Sequence, residues 1–284
     1  MMTDQTRVGL REAAALLGVH YMTIYRYVRI GRLPAERDVA KWSVAMSDLE
    51  GLREADTKPP KSRSSRQLRS KSLLERMSAG DETGAWMIVN DALVSGSSAP
   101  QIYTEMLIPS LRTIGDMWKQ GRLSIAAEHR ASAVATRIVG RLGPMFARRG
   151  LSRGTIVLGA PANDLHALPS AIVADLLKRQ GFATLDLGAN TPVRSFVDSA
   201  REANRLVAVL VGASVTDATP QLMDIANALR DDQIQAPIVF GGGAIRSESV
   251  ARELGAEWWS GVDAATAIST VEGIAESSRH PKNK

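Results

Sequence analysis

The chain has 284 residues, 44% hydrophobic and 23% charged, which suits two or three folded domains and excludes wholesale disorder; no apolar run approaches the roughly 20 residues of a membrane helix. The absence of Cys excludes disulfides, thiolate metal sites, iron–sulfur clusters and a cysteine nucleophile, and four His (His20, His129, His166, His280) leave little for a multi-histidine metal centre. The net charge of +5 is uneven: residues 1–76 hold 15 Lys/Arg against 9 Asp/Glu, the remaining 208 hold 20 against 21, so nucleic acid is the expected partner of the N-terminal quarter alone.

The first patterned block spans residues 6–54. Leu10, Ala14 and Leu17 make an apolar face on a first helix, which Gly18 ends. A second helix begins at Thr23-Ile24-Tyr25-Arg26 and ends at Gly31. Two short helices joined by a Gly turn follow the helix-turn-helix plan. Two strand-like pieces then reach Trp42 and Val44, and Asp48-Leu49 opens a further helix. Thr23, Tyr25 and Arg26 fall at the start of the second helix, where side chains reach base edges. Arg29, Arg32, Arg37 and Lys41 are the candidate phosphate contacts. His20, in the turn, is expected to be structural or at the surface. The block resembles the winged-helix headpiece of MerR-like and excisionase-like regulators.

Residues 55–71, rich in Ser, Pro and basic residues, are expected to form a flexible linker. Residues 72–149 carry apolar residues at helical spacing: Leu73, Leu74 and Met77; Trp86, Val89, Leu93 and Val94; Ile102, Met106, Leu107, Leu111 and Ile114. A fourth helix is predicted from about Ser124 to Phe146, with breaks at Gly80, at 95–100 and at Gly121. Four helices with short connections predict an antiparallel four-helix bundle.

From 152 to 279 the pattern changes. Apolar runs at 155–160, 183–188, 206–214, 237–243 and 257–261 alternate with helical stretches at 168–180, 192–203, 219–230 and 246–254 and a closing helix. Near-continuous Val/Ile/Leu runs suit parallel strands buried on both faces, and the alternation predicts an open, doubly wound parallel α/β sheet. The fold class is therefore multidomain. The dinucleotide signature Gly-x-Gly-x-x-Gly is missing after the first strand, which disfavours NAD or FAD.

Asp164-Leu165-His166 follows the first strand, Ser214 and Thr216 follow the third, and Gly241-Gly242-Gly243 follows the fourth. All three lie at the carboxyl ends of strands, where doubly wound sheets bind ligands. The set resembles the cobalamin-binding, Rossmann-like domain of methionine synthase, corrinoid methyl carriers and B12 mutases, whose motif reads Asp-x-His-x-x-Gly, then Ser-x-Leu or Ser-x-Thr, then Gly-Gly. The resemblance implies that His166 is the lower cobalt ligand and that Asp164 orients its ring. It further implies that Ser214 and Thr216 line the slot for the nucleotide tail, with Gly241 and Gly242 permitting its close approach. Pro169 stands where the motif ends in Gly; proline suits the first turn of a helix.

Trp118 is followed after nine residues by Glu128-His129. With the headpiece and the B12 motif in this domain order, the chain resembles CarH/LitR-type photoreceptor repressors, MerR-like regulators that bind adenosylcobalamin. That resemblance implies that Trp118, Glu128 and His129 pack on the adenosyl group, and that light breaks the cobalt–carbon bond. A dark homo-oligomer, a tetramer, would then fall apart and release double-stranded DNA. The same resemblance implies no enzymatic turnover and a cytoplasmic, nucleoid-associated location. Lys119 replaces the His that follows the Trp in the best-known members, and a protonated ammonium has no lone pair for cobalt. The alternatives are a corrinoid carrier of a methyltransferase system and a regulator of the same shape that uses another ligand or none.

Overall fold

The computed structural model describes residues 6–17, 21–29, 33–38, 41–50, 63–148 and 150–278. The backbone packs as two units, residues 1–76 with 81–113, and residues 77–80 with 114–284.

In the first unit, β1 (Arg7–Gly9) leads into α1 (Leu10–Leu16) and α2 (Tyr21–Arg29), followed by β2 (Glu36–Asp38), β3 (Lys41–Ala45) and a helical turn at 46–50. The strands form an antiparallel sheet in the order β1-β3-β2. Val8, Leu10, Ala13, Ala14, Ile24, Leu33, Val44 and Leu49 make its core, which places the predicted apolar face of α1 inward. Arg7 fastens the sheet by bonding Glu36 at 3.1 Å and the Ser43 carbonyl at 3.0 Å.

Helix α3 (Arg63–Ala79) begins well inside the stretch expected to be a linker. The buried Leu73 and Met77 anchor its later turns. Once a helix is nucleated, adding Arg, Gln and Leu upstream is favourable, so the polar segment continues the helix. Ser70, within that segment, donates to the Met106 carbonyl at 3.3 Å. Helix α4 (Glu82–Val94) is capped by Asp81, which accepts from the Gly84 N–H at 2.8 Å. The third helical stretch is composite: α5 (Ala99–Ile102), a π turn (Tyr103–Leu107) and α6 (Ile108–Lys119). The π turn ends two residues before Pro109, whose ring and missing N–H disfavour the ordinary α register in the preceding turn.

In the second unit α6 ends at Lys119, and Gly121, with a φ of 68°, allows the Arg122 N–H to turn back onto the Met117 carbonyl at 2.8 Å. Ser124 caps α7 (Ile125–Leu142), and a 3-10 turn at Gly143–Phe146 completes the predicted fourth helix. Then follow β4 (Thr155–Gly159), α8 (Leu168–Arg179), β5 (Ala183–Asp186), α9 (Val193–Glu202), β6 (Leu206–Gly212), α10 (Thr219–Asp231), β7 (Ile238–Gly241), α11 (Glu248–Glu253), β8 (Trp258–Trp259) and α12 (Ala264–Ser277).

The five strands are parallel in the order β5-β4-β6-β7-β8. Side chains alternate across the sheet. Val157, Val209 and Val211 face Phe196, Leu222 and Ile225 of α9 and α10. Ile156, Leu158, Ala208 and Leu210 face Leu177, Val271 and Ile274 of α8 and α12. Over β4, β6 and β7 both faces are covered, which explains their uninterrupted apolar runs, while the edge strand β5 is largely exposed. The chain winds outward in both directions from β4 and β6, so the topological switch point lies between these two strands. Among the described residues, no helix is long and apolar enough to cross a membrane.

Candidate functional site

The switch point brings together the loops after β4 and β6. Residues 162–167 form neither helix nor strand, and Asp164 is fully buried in their midst. Asp164 Oδ1 accepts the His166 ring Nδ1–H at 2.7 Å and the His166 backbone N–H at 3.0 Å. Oδ2 accepts the Ser214 backbone N–H at 2.5 Å, which joins the β4 and β6 loops. His166 and Ser214, 48 positions apart in the chain, therefore share one carboxylate.

The electrostatics follow from that geometry. Burial pushes the Asp164 carboxyl upward, but the bonds from the His166 ring, the Ser214 N–H and the His166 N–H prevail and hold it below the usual carboxylate range. His166 moves the other way. Its bond to Asp164 raises it, burial opposes, and the Asp164 and Glu128 charges raise it further while Lys119 lowers it. With Nδ1–H committed to the carboxylate, the Nε2 lone pair is left for another partner, and the imidazole is 53% exposed. Leu165 beside it is 76% exposed, an apolar side chain available to a flat hydrophobic ligand.

The charges acting on His166 locate the helical residues. Lys119, at the end of α6, and Glu128, in the first turn of α7, lie within electrostatic reach of the ring. Glu128 is half-buried and accepts from Ser132 Oγ at 2.7 Å. His129 is exposed, its Nε2 3.6 Å from the Glu128 carboxylate. Trp118 is 45% exposed, unlike a core tryptophan. Thr216 is exposed at the start of a 3-10 turn (Thr216–Ala218). Pro169 lies in the first turn of α8, where its ring fits the helix.

The glycines have reasons within the protein itself. A Cβ on Gly241 would meet Ser260 Oγ at 2.0 Å, and one on Gly242 (φ 97°) would meet the Ala213 carbonyl at 2.4 Å. Close approach of these loops to each other, rather than to a ligand, already requires glycine at both positions. A Cβ on Gly243 would meet nothing within 4 Å, so the open space lies one residue further on.

Two residues that sequence reasoning passed over belong to the same neighbourhood. Asn163 (φ 71°) and Asn190 (φ 52°) both hold left-handed backbone, and Asn190, from the β5 loop, bonds the β4 loop. Asn is among the few non-glycine residues that tolerate this conformation, so paired loop asparagines were the available signal.

In the headpiece, Arg29 and Arg37 are exposed, and the Arg37 guanidinium lies 5.8 Å from the centre of the Trp42 ring. Tyr25 is half-buried, packs on the headpiece core and stacks with Tyr21 at 6.4 Å, so part of its surface serves the fold rather than a base edge. Thr23 and Arg26 lie in α2 and Lys41 in β3, with side chains outside the described set. His20 and Arg32 lie outside the described residues.

Residues 70–142 and 154–269 each match a family model described as a B12 binding domain, and residues 8–56 match one described as a helix-turn-helix domain. Trimethylamine corrinoid protein 2 of Methanosarcina acetivorans is 25% identical over 201 residues, covering 69% of this chain and 92% of that protein. A corrinoid protein of Desulfitobacterium hafniense is 28% identical over 174 residues, covering 58% and 77%. The solved monomethylamine corrinoid protein of Methanosarcina barkeri has the same fold, with a TM-score of 0.64 at 19% identity over 71% of this chain and 96% of that one. The chain thus joins B12-binding domains to a helix-turn-helix domain.

Proposed function

We propose that this chain is a corrinoid-responsive DNA-binding protein, with His166 Nε2 as the lower ligand of the cobalt. The observation that carries the reading is the buried Asp164 holding the His166 ring at 2.7 Å, with Ser214 closing the other side of the carboxylate. A carboxylate-oriented imidazole with its second nitrogen open suits a metal ligand, since the carboxylate sets the tautomer and raises ring basicity. A bound corrinoid would supply a cobalt centre able to carry an alkyl group. In this reading Leu165 would offer the macrocycle an apolar surface, and Ser214, Thr216 and the open space at Gly243 would receive its nucleotide tail.

The relatives bear on what the corrinoid serves. One is named as a trimethylamine corrinoid protein and another only as a corrinoid protein, and they support a methyl-carrier role better than a light-responsive one. The helix-turn-helix domain at 8–56 supports regulation, with α2 entering the major groove and the β2–β3 hairpin acting as a wing. A DNA-binding corrinoid protein accounts for both halves of the chain. In its most specific form the ligand is adenosylcobalamin, Trp118, Glu128 and His129 meet the adenosyl group, and a dark tetramer dissociates in light.

Full-length protein loaded with methyl-, adenosyl- or hydroxocobalamin would be mixed with duplex DNA from its own upstream region, in the dark and after green light. Retention that changes with the upper ligand supports regulation, and a fall in particle size on illumination supports the light-responsive form. Identical retention for all loaded and unloaded forms, with demethylation of the methylcobalamin form by a corrinoid methyltransferase, would make the chain a carrier.

A further inference from the structure

The His166 loop is fastened from two sides. From β6 the Ser214 N–H reaches the Asp164 side chain. From the loop after β5 the Asn190 N–H donates to the Asp164 carbonyl at 2.7 Å, and Asn190 Oδ1 accepts the Asn163 N–H at 2.9 Å. Asn190 therefore both gives and takes a bond across the residues that lead into His166. Its own loop rides closely on the end of β4. Ala160 N–H donates to the Gly188 carbonyl at 2.8 Å, Thr191 N–H donates to the Ala160 carbonyl at 3.0 Å, and a Cβ on Gly159 would come within 3.1 Å of Leu187 Cβ.

With a clamp of this kind on an otherwise irregular segment, we infer that Asn190 is a positioning residue for His166: it holds the backbone on which Asp164 and His166 stand, so that the imidazole meets its metal in one orientation. The inference rests on the corrinoid reading above. An Asn does this with economy of parts. Its backbone tolerates the left-handed conformation, and its amide oxygen supplies the acceptor for a donor that the loop itself leaves unpaired. Because Asn190 is exposed, changing it removes a tether without opening the core.

The test separates the side chain from the backbone. Asn190→Gly keeps the left-handed conformation and deletes the acceptor; Asn190→Asp keeps both. Cofactor-free full-length parent, both variants and His166→Ala would be titrated with hydroxocobalamin, reading affinity and the visible signature of imidazole coordination. Amide hydrogen exchange at Asn163 would be followed without cofactor. Asn190→Gly should bind roughly 10-fold more weakly, the lower end for loss of a residue that orients a metal ligand, with a reduced imidazole signature and faster exchange at Asn163. Asn190→Asp should stay near the parent. Parent-like affinity and spectrum in Asn190→Gly, or equal damage in both variants, would overturn the inference while leaving the corrinoid reading intact. A parent that takes up no cobalamin, or whose spectrum His166→Ala does not change, would overturn the corrinoid reading and this inference with it.

Discussion

Asp164 and His166 are joined twice through a single carboxylate oxygen, by the ring Nδ1–H at 2.7 Å and by the backbone N–H at 3.0 Å. The carboxylate is fully buried while the ring it holds is half-exposed, so one partner is anchored and the other presented. Asp164→Asn should disturb both functions. An amide has one acceptor oxygen and cannot serve both the His166 and Ser214 donors as the carboxylate does. Cobalamin affinity should fall about 10- to 100-fold, the usual range for losing a residue that orients a metal-bound histidine. Titration followed by visible absorption checks this.

Imidazole coordination should depend on pH. Only neutral His166 offers Nε2 to a metal, and the bond to Asp164 raises its pKa above the ordinary 6.5. As the pH falls through that raised value the proton competes with cobalt, and the spectrum should shift to the form without imidazole. Acid titration of the loaded protein measures it. A spectrum constant across that range would contradict the assignment.

Without cofactor the same pair affects stability with a different sign at each end. The raised His166 pKa adds stability fully present below about pH 6.5 and lost as pH rises through the folded-state value. The lowered Asp164 pKa adds stability present above about pH 3.8 and lost as pH falls through its folded-state value. The stability advantage of the parent over Asp164→Asn should therefore be greatest between these limits. Thermal unfolding of both proteins across pH tests the window.

The glycines after β7 should separate cleanly. Gly242→Ala forces a Cβ to 2.4 Å from the Ala213 carbonyl at a φ of 97° and should cost at least about 1–3 kcal/mol, a strained backbone alone being of that order. Gly243→Ala meets open space and should leave the unfolding temperature nearly unchanged. If the nucleotide tail uses that space, cobalamin affinity should fall in Gly243→Ala although stability does not. Calorimetry and cobalamin titration together decide this.

The headpiece prediction is electrostatic. Arg29→Ala and Arg37→Ala should weaken binding to every duplex sequence alike. Each should reduce the salt dependence, the slope of log affinity against log salt, by about 0.9 for a lost phosphate contact. Arg26→Ala should also relax sequence preference. Gel retardation over a range of salt concentrations provides the slopes.

How much of this was legible beforehand depends on the range of the interaction involved. The central strands β4, β6 and β7 could be read from the chain because buried parallel strands demand contiguous apolar residues, and the helix ends at Gly121 and Ser124 because caps are local chemistry. The start of α3 at Arg63 is not legible in the same way: the polar composition there predicts a linker, yet the later turns anchor the helix. His166 was legible as a ligand candidate from its motif, with Asp164 two residues before it.

What the motif does not contain is why Asp164 works. The order β5-β4-β6 sets the loops after the first, second and third strands side by side, so that Ser214 and Asn190 hold Asp164 from opposite neighbours. Gly241 and Gly242 are likewise explained by Ser260 and Ala213, residues distant in sequence that follow β8 and β6. By itself the sequence determined the succession of elements and the residue types at the strand ends, because periodicity, capping and turn chemistry act over a few neighbouring residues. Only the tertiary structure decided which strand ends meet, and with them the partners of the buried carboxylate, because strand order comes from burying both faces of one sheet.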